Sequence, residues 1–430
     1  MKLSTQTRLL QLQARVTHYM DRIQRRSSQP SHRDYRFVLV LALTVYGLGL
    51  YVGSLFTEYH IVWKQWLGVD ALRPPFADLR VLTSGFECAR LGYDVTVNNP
   101  CDPWGRPSPY PRLWWNLAHL GIDQSHTIMI GVILAIALYG CVWWLVGKLN
   151  HVQAIVYALF LCSPTAMLLV ERGNNDIIIF ILFCVALWCM SSWRFAMRFG
   201  GYGLVYFCMM LKLFPVFGLV AVLREQGKRF WWLATLTIAA VLGYISLFGA
   251  EIEIISSTSR AAQLSPTHTY GPKILWLQLG QPQHMTRELL NIAAFVIVSP
   301  WLLKLIGRSY RLLRKRDDLA YGRYVSAFRL GSAIFIGTSV VSVSWDYRLF
   351  FIILTLPQLF ELLTLEPASR LPMVAIATTL ATMYLSSISL LDECANLMLL
   401  VTYSYYFYEF LPIPLKRILP GGRCFRRSAN

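Results

Sequence analysis

Three short polar groups interrupt an otherwise apolar chain. Asp78 opens the segment Ala77-Asp78-Leu79-Arg80, just after Pro74-Pro75. Glu171-Arg172-Gly173-Asn174-Asn175-Asp176 runs straight into the apolar stretch Ile177–Met190. Lys212 splits the stretch Tyr202–Leu223 and is followed by Leu213-Phe214-Pro215. A carboxylate suits general-base removal of a hydroxyl proton. Arg and Lys suit a phosphate, Arg through a bidentate fork. The start of a helix after Asn175 offers N–H groups and a positive dipole end to an anion, and Arg172 adds a fixed charge. A capped turn with Asn174 or Asn175 as N-cap explains the same residues, and both readings hold together. A lysine inside a membrane segment costs ~2.5–3.5 kcal/mol on insertion scales and points to function by default. Its structural alternative is snorkelling from a short helix. For Asp78 the alternative is a solvated carboxylate on a polar helix face.

Further polar residues fall in the same kind of place. Arg260, His268, Tyr270 and Lys273 lie within one loop, and Ser344-Trp345-Asp346-Tyr347-Arg348 heads a later apolar run. His268 has no metal-ligand spacing around it, and no metal or other cofactor is expected. Trp345 and Tyr347 also fit ordinary interfacial anchors. Cys88 and Cys101 are the only cysteines well inside a loop expected outside, so they form a disulfide candidate if that side is oxidising. Pro100, Pro103, Pro107, Pro109 and Pro111 rule out a helix there and favour a rigid, shaped loop. Taken together, Asp78 beside Arg172, Lys212, Arg260, Lys273 and Arg348 is a potential base among cations. An anionic substrate in the membrane with a water-facing acceptor needs both.

The elements that must position these residues are membrane helices. Apolar residues make up 55% of the 430-residue chain and charged residues 15%, against about 25% charged in a soluble domain. The long apolar runs are Phe37–Phe56, His126–Val146, Ala154–Val170, Ile177–Met190, Phe230–Phe248, Leu289–Ile306, Val325–Val343, Leu349–Leu363, Leu371–Leu390 and Ala395–Phe410. Most reach or approach the ~20 residues that cross ~30 Å of hydrocarbon, and lipid forces them to be helices. No cleavable signal pattern is seen, so the first span acts as an anchor. The net charge of +17 sits beside spans: eight Lys/Arg in residues 1–36, seven in 304–323, five after Pro414. Those segments are expected on the cytoplasmic side, and nucleic acid is not expected as a partner.

Threading from an inside N-terminus puts loops 58–125 and 250–287 outside. Basic residues at both ends of Tyr202–Leu223 conflict with one crossing there. A broken or re-entrant hairpin with Lys212 and Pro215 at its turn resolves the conflict, because Pro215 interrupts a helix. Such backbone at depth needs protein or a wet cavity around it. Phe76, Leu79, Leu82, Phe86 and Ala89 recur at helical spacing, which predicts an amphipathic helix lying along the membrane surface. The expectation is an all-α integral membrane protein of about 10–12 spans. It divides into a basic segment 1–36, one membrane domain 37–413 and a basic tail 414–430.

At these residues the chain resembles the GT-C superfamily of polyprenyl-phosphate-sugar-dependent glycosyltransferases, and most of all glycosyltransferase family 87. The resemblance rests on Asp78 with the later Tyr110-Pro111, on Arg172-Gly173-Asn174-Asn175-Asp176, and on Lys212-Leu213-Phe214-Pro215, with Asp346-Tyr347-Arg348 fitting the later spans. It implies a GT-C-like helical bundle around an extracytoplasmic cavity, a polyprenyl-phosphate-linked hexose donor (mannose is one candidate), and inversion. It implies Asp78 as the base on the acceptor hydroxyl, and Asn174, Asn175, Asp176 and Lys212 toward the donor; the topology adds Arg172, Lys273 and Arg348 as candidates for the leaving phosphate. Arg80, Tyr110, Arg260, His268 and Tyr270 are candidate substrate contacts. The expected acceptor is a glycolipid or polysaccharide, and the expected location is a bacterial inner membrane with both termini cytoplasmic. Where the family usually has Tyr-Pro-Pro, this chain has Tyr110-Pro111-Arg112, which points to a different acceptor side. Two other classes remain: a polymerase or ligase using polyprenyl diphosphate glycans, and a lipid-linked sugar transporter or flippase.

Overall fold

The computed structural model describes residues 33–260, 269–270, 323–341, 344–365, 369–385 and 389–411. Thirteen α-helices carry them. In chain order α1 is Phe37–Phe56, α2 Tyr59–Leu67, α3 Ala77–Arg90, α4 Thr127–Val146, α5 His151–Leu161, α6 Pro164–Arg172 and α7 Asp176–Met190. The chain continues with α8 Phe195–Leu211, α9 Gly227–Arg260, α10 Arg323–Val341, α11 Leu356–Leu365, α12 Leu371–Tyr384 and α13 Ser389–Glu409. Tight 3-10 helices fill Arg112–Leu120, Phe214–Arg224 and Asp346–Thr355. The chain is thus a mostly helical membrane protein, with one departure. Thr269–Tyr270 (β1) pairs antiparallel with Ser344–Trp345 (β2), Thr269 opposite Trp345.

Among the described residues, five helical stretches are long and apolar enough to cross a membrane, or six if the bent pair α5–α6 is one span. They sort into outer and inner helices. α1 and α9 each bury only 11% of their most apolar window, whereas α10 and the Asp346–Leu365 stretch bury 72% and 78%. Val40, Leu41, Val45 and Leu48 of α1, like Leu236, Ile238 and Leu242 of α9, face outward, as lipid-facing side chains of a spanning helix do. The expected loop from 250 is corrected: after a break at Phe248, helix continues to Arg260.

The predicted hairpin is present. α8 ends at Lys212, whose extended backbone (φ −161°) breaks the helix, and the chain returns as the 3-10 helix with Pro215 in its first turn. The return closes Arg198 on Glu225, Nε to Oε1 at 2.5 Å and Nη2 to Oε2 at 3.1 Å. Tyr202 donates to the same carboxylate at 2.8 Å. Lys212 is therefore at the tip and Arg198 at the base. Gly201 allows the close packing of α8 on α7, since a Cβ there would meet the Ala186 carbonyl at 2.9 Å; small residues at such crossings let helix backbones approach.

Phenylalanines hold α7, the hairpin and the Asp346–Leu365 stretch together. Phe180 meets Phe350 edge-on at 5.1 Å, and Phe351 receives Phe183 at 5.7 Å and Phe214 at 5.4 Å. Edge-on aromatic pairs add about 0.5–1.5 kcal/mol each beyond their buried area. Phe214 follows Lys212 by two residues and Phe350 follows Arg348 by two. The apolar cluster therefore fixes both cations at one end of α7.

α3 is helical as its spacing predicts, but its polar face meets protein rather than water. Ten of its fourteen residues are buried, including Thr83 and Ser84 on the supposed polar face. The proline-rich loop covers that face. Asn99 donates to Ser84 at 3.3 Å, and Thr83 shares a hydrogen bond of 2.8 Å with Thr127 of α4. Trp115 lies where Gly85 has no side chain. An amphipathic period marks two kinds of face without saying whether water or protein meets the polar one.

Candidate functional site

Asp78 sits in the first turn of α3, and the residues before it are tightly constrained. Phe76 adopts φ +60°, a left-handed conformation costly for a bulky residue. Its N–H donates to the Glu171 carbonyl at 3.1 Å, and the side chain of the buried Glu171 accepts from Leu72 N–H at 3.0 Å. The Phe76 ring packs on the Gly131 and Gly173 backbone. Gly173 caps α6 with φ +55°, so a side chain there meets both the left-handed penalty and Phe76. The turn 171–176 thereby docks directly on the start of α3.

That turn connects a carboxylate to a cation through one amide. Asn174 Nδ2 donates to Asp78 Oδ2 at 2.6 Å, and Asn174 Oδ1 accepts from Lys212 Nζ at 3.2 Å. Asn174 Oδ1 also accepts from the Asp176 N–H at 2.9 Å, which caps α7. Asn175 occupies the N-cap position but uses its side chain elsewhere: its Oδ1 accepts from Lys212 at 2.7 Å. Lys212 completes its set on Asp176 Oδ1 at 2.5 Å. Asp176 is fully buried and in the first turn of α7, where the helix dipole favours its charge. Arg348 Nε lies 3.7 Å from the other Asp176 oxygen. The helix start thus already carries one of the chain's own carboxylates, paired with two cations.

Aromatic rings wall the cations. Lys212 Nζ lies 5.6 Å from the Tyr110 ring centroid, 5.8 Å from Tyr347 and 5.9 Å from Phe214, and Arg348 lies 5.0 Å from Phe214. Such contacts attract a cation by about 0.5–2 kcal/mol. Tyr110 is buried; burial and then the Asp78 carboxylate raise its hydroxyl well above the usual tyrosine range, so it stays a neutral hydrogen-bonding group. Trp114 donates to the Leu211 carbonyl at 2.9 Å, which ties the loop to the hairpin tip. The Glu251 carboxylate accepts from the Arg112 N–H.

Arg106 is the site residue that sequence reasoning missed. Its guanidinium lies 3.9 Å from Asp78 Oδ1 and donates to the Ala77 carbonyl at 2.7 Å. Asp102 holds it with Nε–Oδ2 and Nη2–Oδ1 contacts of 3.0 Å each, and Trp104 lies under it at 4.4 Å. Asp102, four residues before an arginine in a Gly-Pro-rich loop, is the only signal the sequence carried. The neighbouring Cys101 is joined to Cys88 in a disulfide, the pairing that the sequence suggested.

Other expected residues stand apart from this cluster. Arg172 turns away, donating to the Asp70 carbonyl at 2.7 Å and lying 3.4 Å from Glu171. Arg80 donates to the Pro75 carbonyl at 2.9 Å, and desolvation holds its pKa below the usual arginine value. Neither contacts the Asp78–Lys212 group, because the backbone carbonyls beside each are nearer partners. Tyr270 is buried on the Arg348 side, sharing a 2.7 Å hydrogen bond with Thr338; the β1–β2 pair places it opposite Ser344, and Ser344 accepts from Arg348 at 3.2 Å. His268, Lys273 and the side chain of Arg260 lie outside the described residues. Among the described residues, no group of three or more His, Cys, Asp or Glu side chains is arranged to hold a metal ion.

Comparison with family models, with curated proteins and with solved structures yields no match.

Proposed function

We propose that the chain is a membrane glycosyltransferase that moves a hexose from a polyprenyl phosphate to a glycolipid or polysaccharide acceptor. The single observation that carries the reading is the Asn174 amide, which holds Asp78 at one end and Lys212 at the other. The resemblance to glycosyltransferase family 87 agrees with that pairing. In this reading Asp78, partly exposed and steadied by Asn174 and Arg106, takes the acceptor hydroxyl proton. The oxygen then attacks the anomeric carbon from the face opposite the phosphate, and the sugar–phosphate bond breaks with inversion. Negative charge develops on the leaving phosphate, and Lys212 and Arg348 oppose it. Stabilising charge where it develops is the dominant electrostatic contribution in such steps.

The saturation of Lys212 shapes the mechanism. An ammonium has three donors, and all three point at Asn174, Asn175 and Asp176. A phosphate reaches Lys212 only by displacing an amide oxygen, with Asn175 Oδ1 or Asn174 Oδ1 giving way. Displacing Asn174 would also loosen Asp78, which links donor arrival to the freedom of the base.

A second reading, a lipid-linked sugar transporter, is favoured by the 51° bend between α5 and α6, since broken spans recur in transporters. The two readings separate on chemistry. Wild type and Asp78→Asn are purified in nanodiscs and incubated with a panel of polyprenyl-phosphate hexoses, with native mass spectrometry as the readout. The expected result is donor binding by both forms and turnover, with added membrane extract, by wild type alone. Failure of both forms to bind any lipid-phosphate sugar contradicts the donor assignment. Equal turnover contradicts the role of Asp78. Sugar changing sides without bond cleavage favours the transporter.

A further inference from the structure

The hairpin has a second end, and the site above does not use it. About 21 Å from Lys212, by 14 helical residues at 1.5 Å each, its base opens on a cavity of about 530 Å³ lined by Arg198, Arg224, Glu225, Gln226, Lys228 and Arg229. Four cations face one carboxylate there. Glu225 is itself engaged by Arg198 and Tyr202, and Arg224 reaches Ser326 of α10 at 3.2 Å. Lys228 and Arg229 are exposed, and the Arg229 guanidinium lies 5.3 Å from the Phe195 ring centroid. α9 begins in this wall, with no acidic residue in its first turn, so its positive dipole end adds to the charge.

Two features say what kind of anion fits. The wall is the start of Gly227–Ile255, a stretch apolar enough to span a membrane. Trp193, Trp231 and Trp232 beside it are 83%, 57% and 54% exposed, the pattern of an aromatic belt at a membrane boundary. The cavity is also open and far larger than the ~30 Å³ share of one water, with room for a headgroup beyond its phosphate. We infer that this cavity binds the headgroup of an anionic phospholipid, its phosphate held by Arg229, Lys228 and Arg224 and its acyl chains lying along α9. Basic pockets between membrane helices recognise such headgroups. The inference is independent of the glycosyltransferase reading, because it concerns the opposite end of the hairpin.

The test is native mass spectrometry of the full chain titrated with phosphatidylglycerol, phosphatidylcholine or inorganic phosphate. Lys228→Gln/Arg229→Gln is the variant, because it leaves the Arg198–Glu225 and Arg224–Ser326 contacts in place. Wild type is expected to retain one phosphatidylglycerol in preference to phosphatidylcholine. The double variant is expected to lose about 25-fold in that affinity, at about fivefold per basic residue removed, while remaining folded with a cooperative melt. Equal retention of the two lipids by wild type overturns the inference. So does retention by the variant equal to wild type, and so does displacement of phosphatidylglycerol by excess inorganic phosphate, which would assign the cavity to a soluble anion.

Discussion

Replacing Lys212 by Met keeps most of the side-chain volume and deletes the ammonium. Lys212 Nζ contacts Asp176 at 2.5 Å, Asn175 at 2.7 Å and Asn174 at 3.2 Å. The substitution leaves Asp176, 0% exposed, with Arg348 at 3.7 Å as its remaining cation. Removing one partner of a buried ion pair costs about 3–5 kcal/mol. Arg348 offsets part of this, so the lower end, about 3 kcal/mol, is expected. The assay is reversible unfolding of the purified chain in mixed micelles for wild type, Lys212→Met, Asp176→Asn and the double variant. Because the two side chains share one contact, the double variant is expected to be less damaged than the sum of the singles, by about 0.5–3 kcal/mol. Strict additivity, or a Lys212→Met cost below about 0.5 kcal/mol, would refute a buried Lys212–Asp176 pair.

Three further outcomes follow from the loop and the hairpin. Asp102→Asn removes charge-assisted bonds to Arg106 and to the Trp104 and Arg106 N–H groups; it is expected to cost about 1.5–3 kcal/mol in the same unfolding assay and to lower turnover by freeing Arg106 from Asp78. Cys88→Ser/Cys101→Ser opens a link spanning 13 residues, expected to cost about 3 kcal/mol by loop closure, and reductant is expected to lower the melting temperature of wild type but not of the variant. Burial alone would raise Glu225, yet hydrogen bonds from Arg198 and Tyr202 and the charges of Arg198 and Arg229 outweigh it and hold the carboxyl below the usual range. A carboxyl lowered on folding stabilises above its unfolded value and loses that contribution as pH falls; thermal melts below pH about 4.3 are therefore expected to drop more steeply for wild type than for Glu225→Gln.

The membrane helices were legible because lipid imposes length and apolarity together. Phe37–Phe56 coincides with α1, and the end of Ile177–Met190 with the end of α7. The hairpin was legible for a different reason: basic residues at both ends of one apolar stretch cannot both stay on one side unless the chain turns, and Lys212 with Pro215 marked where. Lys212, Asn174, Asn175, Asp176, Asp78 and Tyr110 do come together, since the hairpin tip and the turn before α7 share one end of the Phe180–Phe351 cluster. Arg172 stands apart from the Asp78–Lys212 group because a position in a turn does not fix which way a long side chain leaves it. Arg106 went unseen because its partner Asp102 is a loop neighbour and its reach to Asp78 depends on how the proline-rich loop folds over α3, which no periodicity encodes. The burial of α3 went unread for the same reason.

The most direct measurement is a cryo-electron microscopy structure of Asp78→Asn with a polyprenyl-phosphate hexose that this variant binds and leaves intact. Phosphate density is expected in contact with Lys212 and Arg348, with one of the Asn174 or Asn175 amide oxygens displaced from Lys212 and the anomeric carbon facing residue 78. Donor phosphate bound away from Lys212 and Arg348, with the Lys212 contacts to Asn174, Asn175 and Asp176 unchanged, would contradict the assignment of these cations to the leaving group.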